Sequence, residues 1–409
     1  MKKRQLISYT IMSIALYLIA TGVSYGAFTY LGKSAGTTEK TPTQLSGASG
    51  KPTKTFKIDQ SLPRTEVCPL NGEKFAKAQK DLWDKRRPMA VMIENTEEAR
   101  PQSGLSYADI VYESAVEYGI TRFMGVFYCN LAGENNVALA PVRSARTYFL
   151  PWVLEYDALY NHVGGAGNCD DPTVDDRAKA LCQIDQYGVK DMDQFGLPFK
   201  YALPDGSKIQ VCYRNPDRLD HEVATEHTMV CATEGLYKFA ELENDWTNVD
   251  KKGIAWDKKF TPWKFKEEAK VADRADQATP ISFVAWKQME ATFGVKWTYD
   301  KVNNVYLREN GGKIHIDLET NEQLKAKVVI VEFAKETTNV DEHGHLLYGN
   351  IGAGTGIVFQ DGKATKVNWQ KADKNARTKY IDASTGKEIE LNAGKIWIAM
   401  LPIGTNVTY

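Results

Sequence analysis

The chain has 409 residues, of which 43% are hydrophobic and 25% are charged, as in ordinary globular proteins. Its 51 lysines and arginines nearly balance its 52 aspartates and glutamates, so no basic surplus indicates a nucleic-acid partner. Without the unusual N-terminal part, roughly 340 residues could fold, which is enough for about two domains.

The N-terminus has the pattern of a membrane anchor. Residues 1–5 form a basic head, and an uncharged run follows from Leu6 to Leu31. As a helix this run would be about 39 Å long, more than a bilayer core of about 30 Å. Because the positive charges precede it, the N-terminus should stay in the cytoplasm. We therefore predict one transmembrane helix over residues 6–31, with the folded part outside the cell. A cleaved signal peptide, with small residues Ser24 and Gly26 at its end, is the alternative.

Residues 32–64 are predicted to be a flexible linker. Ser34–Thr55 consists mostly of Thr, Ser, Gly, Pro and Lys and has too few apolar residues to form a core. Its r.m.s. reach of roughly 30 Å would place the folded part near the membrane or a little way into the wall.

Six cysteines follow the linker: Cys68, Cys129, Cys169, Cys182, Cys212 and Cys231. Outside the cell an even number permits up to three disulfides. Proximity in sequence favours the pairs Cys169–Cys182 and Cys212–Cys231. No cysteine lies near the end of the apolar run, which excludes a lipid-modified cysteine there. The chain also has no CxxC, so neither a thioredoxin-like motif nor a zinc knuckle is indicated.

Residues 65–250 are predicted to be an α+β or α/β domain, because short apolar runs alternate with helical patterns. The predicted strands are 89–93, 109–113, 123–128 and 158–163. Pro141 suits the first turn of a helix over residues 141–156, which Pro151 should bend. A second helix is predicted to begin at the acidic residues 171–176 and to continue to about Gln183.

A charged stretch, residues 251–280, is predicted to connect this domain to a second one. Residues 281–409 should be mostly β, because short strand patterns alternate with turn signals. The predicted strands are 297–299, 305–308, 328–333 and 357–359. The turns between them are 310–312, 361–362 and 384–386.

Several motifs resemble the YerB-like family of bacterial envelope proteins. These are residues 88–95, 99–105, 108–113, 119–123, 141–146 and 162–165, with 306–308, 315–317 and 394–398 in the second domain. The resemblance implies a membrane-attached protein of unknown biochemical function, often a lipoprotein. This chain departs from that pattern because it lacks the lipid-bearing cysteine, so the helix itself must be the anchor. It also has Ala166 where other members tend to have Ser, which weakens the case for a serine nucleophile.

Arg143 and Arg146 are the first candidates for a ligand site. They lie three residues apart, on one face of the predicted helix and near its positive end. A bound anion would offset these cations by using guanidinium groups and backbone N–H groups together. Supporting carboxylates would serve equally well, and the candidates for this role are Glu113, Glu117 and Asp157.

His162 ends a predicted strand, and Gly164 and Gly165 follow it before a helix. Ligands of α/β domains commonly bind at such a position, although neither a dinucleotide fingerprint nor a P-loop is present. His162 is a candidate acid, base or ligand contact; a hydrogen-bonded structural histidine is the alternative. Arg214 and His227 could complete a site begun by Arg143. His221 and His227 are six residues apart, so they do not form a zinc-protease helix.

No cofactor and no metal are predicted. The acidic residues at 170, 171, 175 and 176 could bind a hard cation, but helix capping explains them more simply. His343 and His345 are predicted to lie in a solvated turn.

Two functions are compatible with these features. The first is a non-catalytic envelope protein that is attached to the membrane by its helix and binds an anionic polymer or a cell-wall glycan. The alternative is a hydrolase or phosphotransferase that acts on a phosphate-bearing envelope polymer or a lipid-linked precursor, since charge stabilisation dominates phosphoryl chemistry.

Overall fold

Ten strands, numbered β1 to β10 in chain order, form the main sheet of this computed structural model, which describes residues 61–134, 136–276 and 278–409. Their bounds are Met89–Glu94, Ile110–Ala115, Thr121–Phe127, Leu159–His162, Lys190–Asp193, Val328–Ala334, Gly352–Gln360, Lys363–Lys371, Lys379–Asp382 and Ile396–Pro402. The order across the sheet is β9-β8-β7-β6-β10-β2-β3-β1-β4-β5. The pairs β6–β10, β10–β2, β1–β4 and β4–β5 are parallel, and the other pairs are antiparallel.

Both faces of the central strands of this sheet are covered, whereas β8, near one edge, alternates between buried and exposed residues. In β10, Ile396 and Ile398 pack into the core on one face, while Trp397 and Ala399 pack into the core on the other. Strands that are buried on both faces have nearly continuous apolar sequences. This is why the predicted strands of the main sheet are confirmed, mostly with small shifts at their ends. The strand predicted at 357–359 is longer than expected, because it begins at Gly352 with exposed residues that carry no apolar signal.

Shorter strands surround the main sheet. A five-stranded sheet contains Ile281–Phe283, Val295–Asp300, Val305–Asn310, Lys313–Ile314 and Lys325–Ala326. A three-stranded sheet contains Ala138–Leu139, Met229–Ala232 and Cys212–Arg214. The remaining pairs are Arg64–Val67 with Lys74–Ala76, Lys200–Ala202 with Lys208–Gln210, Phe265–Lys266 with Leu391–Asn392, Ile316–Asp317 with Glu322–Gln323, and Glu336–Thr337 with Leu347–Tyr348.

Helices are few and short in the described residues. The α-helices are Lys77–Trp83 (α1), Leu150–Glu155 (α2), Ala180–Tyr187 (α3), Thr233–Asn244 (α4) and Glu290–Phe293 (α5). Single 3-10 turns occur at Glu97–Ala99, Leu105–Tyr107, Glu117–Gly119, Thr147–Phe149, Gln194–Gly196, Thr225–His227, Trp256–Lys259, Val271–Asp273 and Lys287–Met289. The fold is therefore mostly β, and the expected α/β alternation of the first segment overstates its helical content. None of the helices in this part of the chain is long and apolar enough to cross a membrane.

Two helix predictions are wrong in extent. The helix predicted over residues 141–156 is only α2, and residues 141–146 are extended instead. The reason lies in backbone bonds to strand ends: Arg143 N donates to Met92 O, and Ala145 N donates to Gly164 O. The second predicted helix starts later than expected, at Ala180, because the acidic stretch before it forms turns.

The two predicted segments share the main sheet. Strands β1–β5 come from the first segment and β6–β10 from the second, and β10 lies between β6 and β2. All described residues accordingly fall within one compact unit. The segment boundaries near residues 250 and 281 stay a prediction. The basic head, the apolar run and the linker up to residue 60 lie outside the described residues.

All six cysteines form disulfides. Cys169–Cys182 and Cys212–Cys231 pair as predicted, and the third disulfide joins Cys68 to Cys129. No cysteine of the chain is free.

Candidate functional site: a cationic cleft

A cleft of about 440 Å³ lies beside the turn that joins β2 to β3. Four parts of the chain form it: this turn with the start of β3, the extended residues 143–146, the glycine loop after β4, and the loop between β6 and β7. Its polar side chains are Glu117, Arg122, Arg143, Ser144, Arg146, Asp171, His343 and His345. Three guanidinium groups and two imidazoles thus meet at one opening.

Arg146 is held by Glu117. Its Nε and Nη2 donate to the two carboxylate oxygens of Glu117, each over 2.6 Å, and both side chains are only 12% exposed. Burial would lower the pKa of Arg146, but the bonds to Glu117 raise it above its usual value. Burial would likewise raise the pKa of Glu117, but Arg146 holds it below its usual value. Both groups are therefore charged, and the bidentate pair is rigid.

Arg122 has no such partner. It is 6% exposed on β3, and its one hydrogen bond within the described structure runs from Nη1 to the carbonyl oxygen of Ser144, at 2.8 Å. Burial, and next the charge of Arg146, lowers the pKa of Arg122 to about 10. The group is still charged at neutral pH. A buried cation without a paired carboxylate is costly, and a bound anion would remove that cost.

Arg143 belongs to a second ion-pair network. Its Nε lies 3.1 Å from Oε1 of Glu94, and the side chain is 26% exposed. The other carboxylate oxygen of Glu94 lies 2.8 Å from Nδ1 of His227. His227 is buried and does not line the cleft, so it supports Arg143 only through Glu94.

His162 is a structural histidine. It is fully buried, with Nδ1 at 2.8 Å from the carbonyl oxygen of Gly164 and Nε2 at 2.8 Å from Oδ1 of Asp191. Both ring nitrogens are occupied, so neither can contact a ligand. The bond to Gly164 ties His162 to the glycine loop. The next residue, Gly165, packs closely, since a Cβ on it would lie 3.2 Å from the Cβ of Ala145. Gly165 thus allows the loop to pack against the extended segment that bears the arginines.

Other predicted site residues lie outside the cleft. Arg214 is exposed and donates to the carbonyl oxygen of Thr225. Glu113 is buried against Arg308, and Asp157 pairs with Arg87 and Lys190. The expected convergence of both arginines with His162 and His227 is therefore wrong. Of the predicted residues, the cleft unites Arg143, Arg146 and Gly165 with the carboxylate Glu117.

Sequence reasoning missed Arg122 and the two histidines. Arg122 is a charged residue within an otherwise apolar strand pattern, a signal that could have identified it. His343 is exposed, as predicted, with Nε2 at 3.1 Å from Oγ1 of Thr173. His345 is instead 6% exposed, with Nδ1 at 2.8 Å from Oδ2 of Asp341.

The carboxylates of the acidic stretch, residues 170–176, are mostly engaged in hydrogen bonds of turns and in ion pairs with neighbouring residues. Oδ1 of Asp171 accepts hydrogen bonds from Thr173, Asp175 pairs with Arg177, and Asp176 pairs with Lys179. Asp170 is exposed. Elsewhere in the described part of the chain, potential metal ligands gather at Cys68, Asp109 and Cys129, but the two sulfurs are joined as a disulfide.

The fold and the cleft define a mostly β protein with a mixed sheet, whose central strands are buried on both faces, and an arginine-rich opening at one sheet end. Family models identify it further: residues 75–229 match the N-terminal domain, and residues 284–398 the C-terminal domain, of a protein of unknown function (DUF3048). The chain belongs to this family, which confirms the YerB-like resemblance of its sequence.

Two comparisons support the assignment. The chain is similar to "Putative lipoprotein YerB" of Bacillus subtilis (strain 168), with 27% identity over 319 residues, which are 78% of this chain and 82% of that protein. The crystal structure of the YerB protein from Bacillus subtilis has a similar fold. The TM-score is 0.63 at 23% identity, covering 84% of this chain and all of the solved one.

Proposed function

We propose that this protein is attached to the outer face of the cell membrane and that its cleft binds a phosphate-bearing group of the envelope. Arg122 is the observation that supports this most directly. It is buried, charged and unpaired, and it lies between two further arginines. A phosphate offers several acceptor oxygens and the negative charge that this arrangement lacks.

The donors are held in place before a ligand arrives. Glu117 fixes Arg146 and the carbonyl group of Ser144 fixes Arg122, while Glu94 contacts Arg143 as an ion pair without a hydrogen bond between Nε and Oε1. Preorganised charged donors lose little conformational entropy on binding. The function therefore requires no rearrangement of the sheet.

Attachment to the membrane rests on the apolar run and on the relative. The relative from Bacillus subtilis carries the name "Putative lipoprotein YerB". In this chain all six cysteines are in disulfides, so Leu6–Leu31 is the proposed anchor and the folded part is extracytoplasmic. The linker of residues 32–64 would let the cleft reach polymers close to the membrane.

Catalysis on the same ligand is a second candidate, favoured by the pair His345–Asp341. A carboxylate that contacts one imidazole nitrogen is the usual support for a histidine acting as general acid or base. His345 of this pair lies at the wall of the cleft, beside the arginines. The chemistry would be hydrolysis or transfer of a phosphoryl group.

Calorimetric titration tests the binding proposal. The full chain, purified in an uncharged detergent, is titrated with inorganic phosphate at low salt. Arg122→Gln and Arg143→Ala should each weaken binding about tenfold or more, since each removes a charge-assisted donor. Arg214→Ala is the matched control, because it removes an exposed arginine outside the cleft, and it should bind as the parent does.

Circular dichroism and thermal melts show whether each variant is folded. Equal binding by Arg122→Gln, Arg143→Ala and the parent would contradict the proposal, as would loss of binding only in Arg214→Ala. A neutral glycan fragment in place of phosphate tests the glycan alternative. Release of phosphate from an ester, abolished by His345→Asn, would favour the enzyme.

A further inference from the structure

Tyr118 lies at the tip of the β2–β3 turn, on the rim of the cleft. Its side chain is 63% exposed, although the ring is large and apolar. Its backbone φ is +62°, in the left-handed region. That region is unfavourable for a bulky L-residue, and such outliers cluster at functional sites.

The turn is held on both sides of Tyr118. Glu117 is fixed by its two bonds to Arg146. Gly119 has a φ of +78°, and a Cβ there would lie 2.9 Å from the ring of Trp286. The hairpin closes with a backbone hydrogen bond from Val116 N to Ile120 O, at 2.7 Å. The tyrosine ring is therefore presented in a defined position.

The ring reaches toward the loop on the far side of the cleft. A Cβ built on Gly344 would lie 3.3 Å from both Cζ and Oη of Tyr118. Gly344 lies between His343 and His345, which line the same cleft. The outer end of the ring thus rests on this glycine, and the exposed part of the ring borders the opening.

Asp171 contributes a carboxylate to the opening, which can accept hydrogen bonds from a ligand. Its carboxylate lies in a cleft that is otherwise rich in cations. Its Oδ1 accepts from Thr173, whereas Oδ2 has no hydrogen-bond partner among the described residues. A carboxylate repels an anion but accepts hydrogen bonds from hydroxyl groups, so it suits a ligand that has both.

We propose that the ligand is a glycosyl phosphate, with its phosphate on Arg122 and Arg143, its sugar ring against Tyr118 and a hydroxyl group on Asp171. This inference rests on the proposed function and specifies its ligand. The cleft of about 440 Å³ exceeds what inorganic phosphate fills and lies in the usual range for small-molecule sites. An exposed aromatic ring offers the apolar surface that a sugar face covers.

The test compares glucose 1-phosphate, adenosine monophosphate, inorganic phosphate and glucose by calorimetry on the full chain in uncharged detergent. The parent should bind glucose 1-phosphate about tenfold more tightly than inorganic phosphate. Tyr118→Gly removes the ring and suits the left-handed backbone, so the variant should fold. It should bind both phosphates with similar affinity, and inorganic phosphate as the parent does. Tyr118→Phe keeps the ring and should keep the preference.

The outcomes separate the two proposals. Phosphate binding without any preference for glucose 1-phosphate, or a preference that survives in Tyr118→Gly, overturns the glycosyl phosphate and leaves the anion site standing. A stronger preference for adenosine monophosphate assigns the ring to a nucleobase and overturns the sugar. Tight binding of glucose alone contradicts the phosphate contact. Absence of binding to every phosphate overturns both proposals.

Discussion

Glu113→Gln should destabilise the fold strongly and leave the cleft intact. Sequence reasoning assigned Glu113 to the arginine site, but the structure places it between the two family segments. Its Oε1 accepts from Nη2 of Arg308 at 2.6 Å, and its Oε2 accepts from Nε1 of Trp397 at 2.8 Å. Glu113 is 3% exposed and Arg308 is fully buried.

The magnitude follows from this burial. Arg308 lies over three aromatic rings, those of Phe123, Trp297 and Trp397, with its guanidinium carbon 4.7 Å from the centroid of the last. Without Glu113 its charge would stay buried and uncompensated. Both oxygens of Glu113 accept hydrogen bonds, so the NH2 group of a glutamine would face a donor, either Arg308 or Trp397, and one of these bonds would be lost. Breaking a buried ion pair in this way costs about 3–5 kcal/mol of unfolding free energy.

Urea unfolding followed by tryptophan fluorescence measures this loss. Glu113→Gln/Arg308→Met, which removes both charges, should be more stable than Glu113→Gln alone, because no buried charge is left unpaired. Asp81→Asn at the exposed Lys77–Asp81 pair is the control, and it should not change stability measurably. Weaker phosphate binding by Glu113→Gln at unchanged stability would refute the structural role of Glu113 and indicate that it acts at the ligand site.

Two further predictions concern stability. Burial raises the pKa of Glu332 to about 7 from a model-peptide value of 4.5, so the folded state keeps a proton that the unfolded chain loses in this window. Burial raises the pKa of Asp109 to about 7 as well, so the test compares two proteins. As the pH rises from 4.5 to 7, the unfolding free energy of the parent should fall by about 3 kcal/mol more than that of Glu332→Gln, as measured in a urea series across pH. The double variant Cys169→Ser/Cys182→Ser opens a disulfide loop with a sequence separation of 13. It should lower the unfolding free energy by about 3 kcal/mol, as measured by urea unfolding, and a stability equal to the parent's would contradict the pairing.

Several central strands could be predicted because burial on both faces produces continuous apolar runs, as in Met89–Glu94 and Val328–Ala334. The order of the strands in the sheet could not be predicted. Strand β10 lies between β6 and β2, and no local pattern indicates that the last strand joins the two segments. The helix predicted over residues 141–156 failed for a related reason: backbone bonds to the ends of β1 and β4 keep residues 141–146 extended.

The site was partly visible in the sequence. Arg143 and Arg146 could be identified from their spacing and the nearby glycines, although the helical face used to join them does not exist. The position of His345 could not be predicted, because its loop lies at the cleft only through the pairing of the second segment with the first in the main sheet. Arg122 lies in a buried strand, where a charged residue breaks the apolar pattern. Such a break is the local signal that best identifies an unpaired cation.

Anomalous diffraction from crystals of the full chain soaked in tungstate, a tetrahedral phosphate analogue, tests the central claim most directly. We predict a tungsten peak in the cleft, within hydrogen-bonding distance of the guanidinium groups of Arg122 and Arg143, and its loss in Arg122→Gln crystals. An empty cleft, with tungstate bound instead at Lys266 or Lys395 in a separate, larger groove or at no ordered position, would contradict the account.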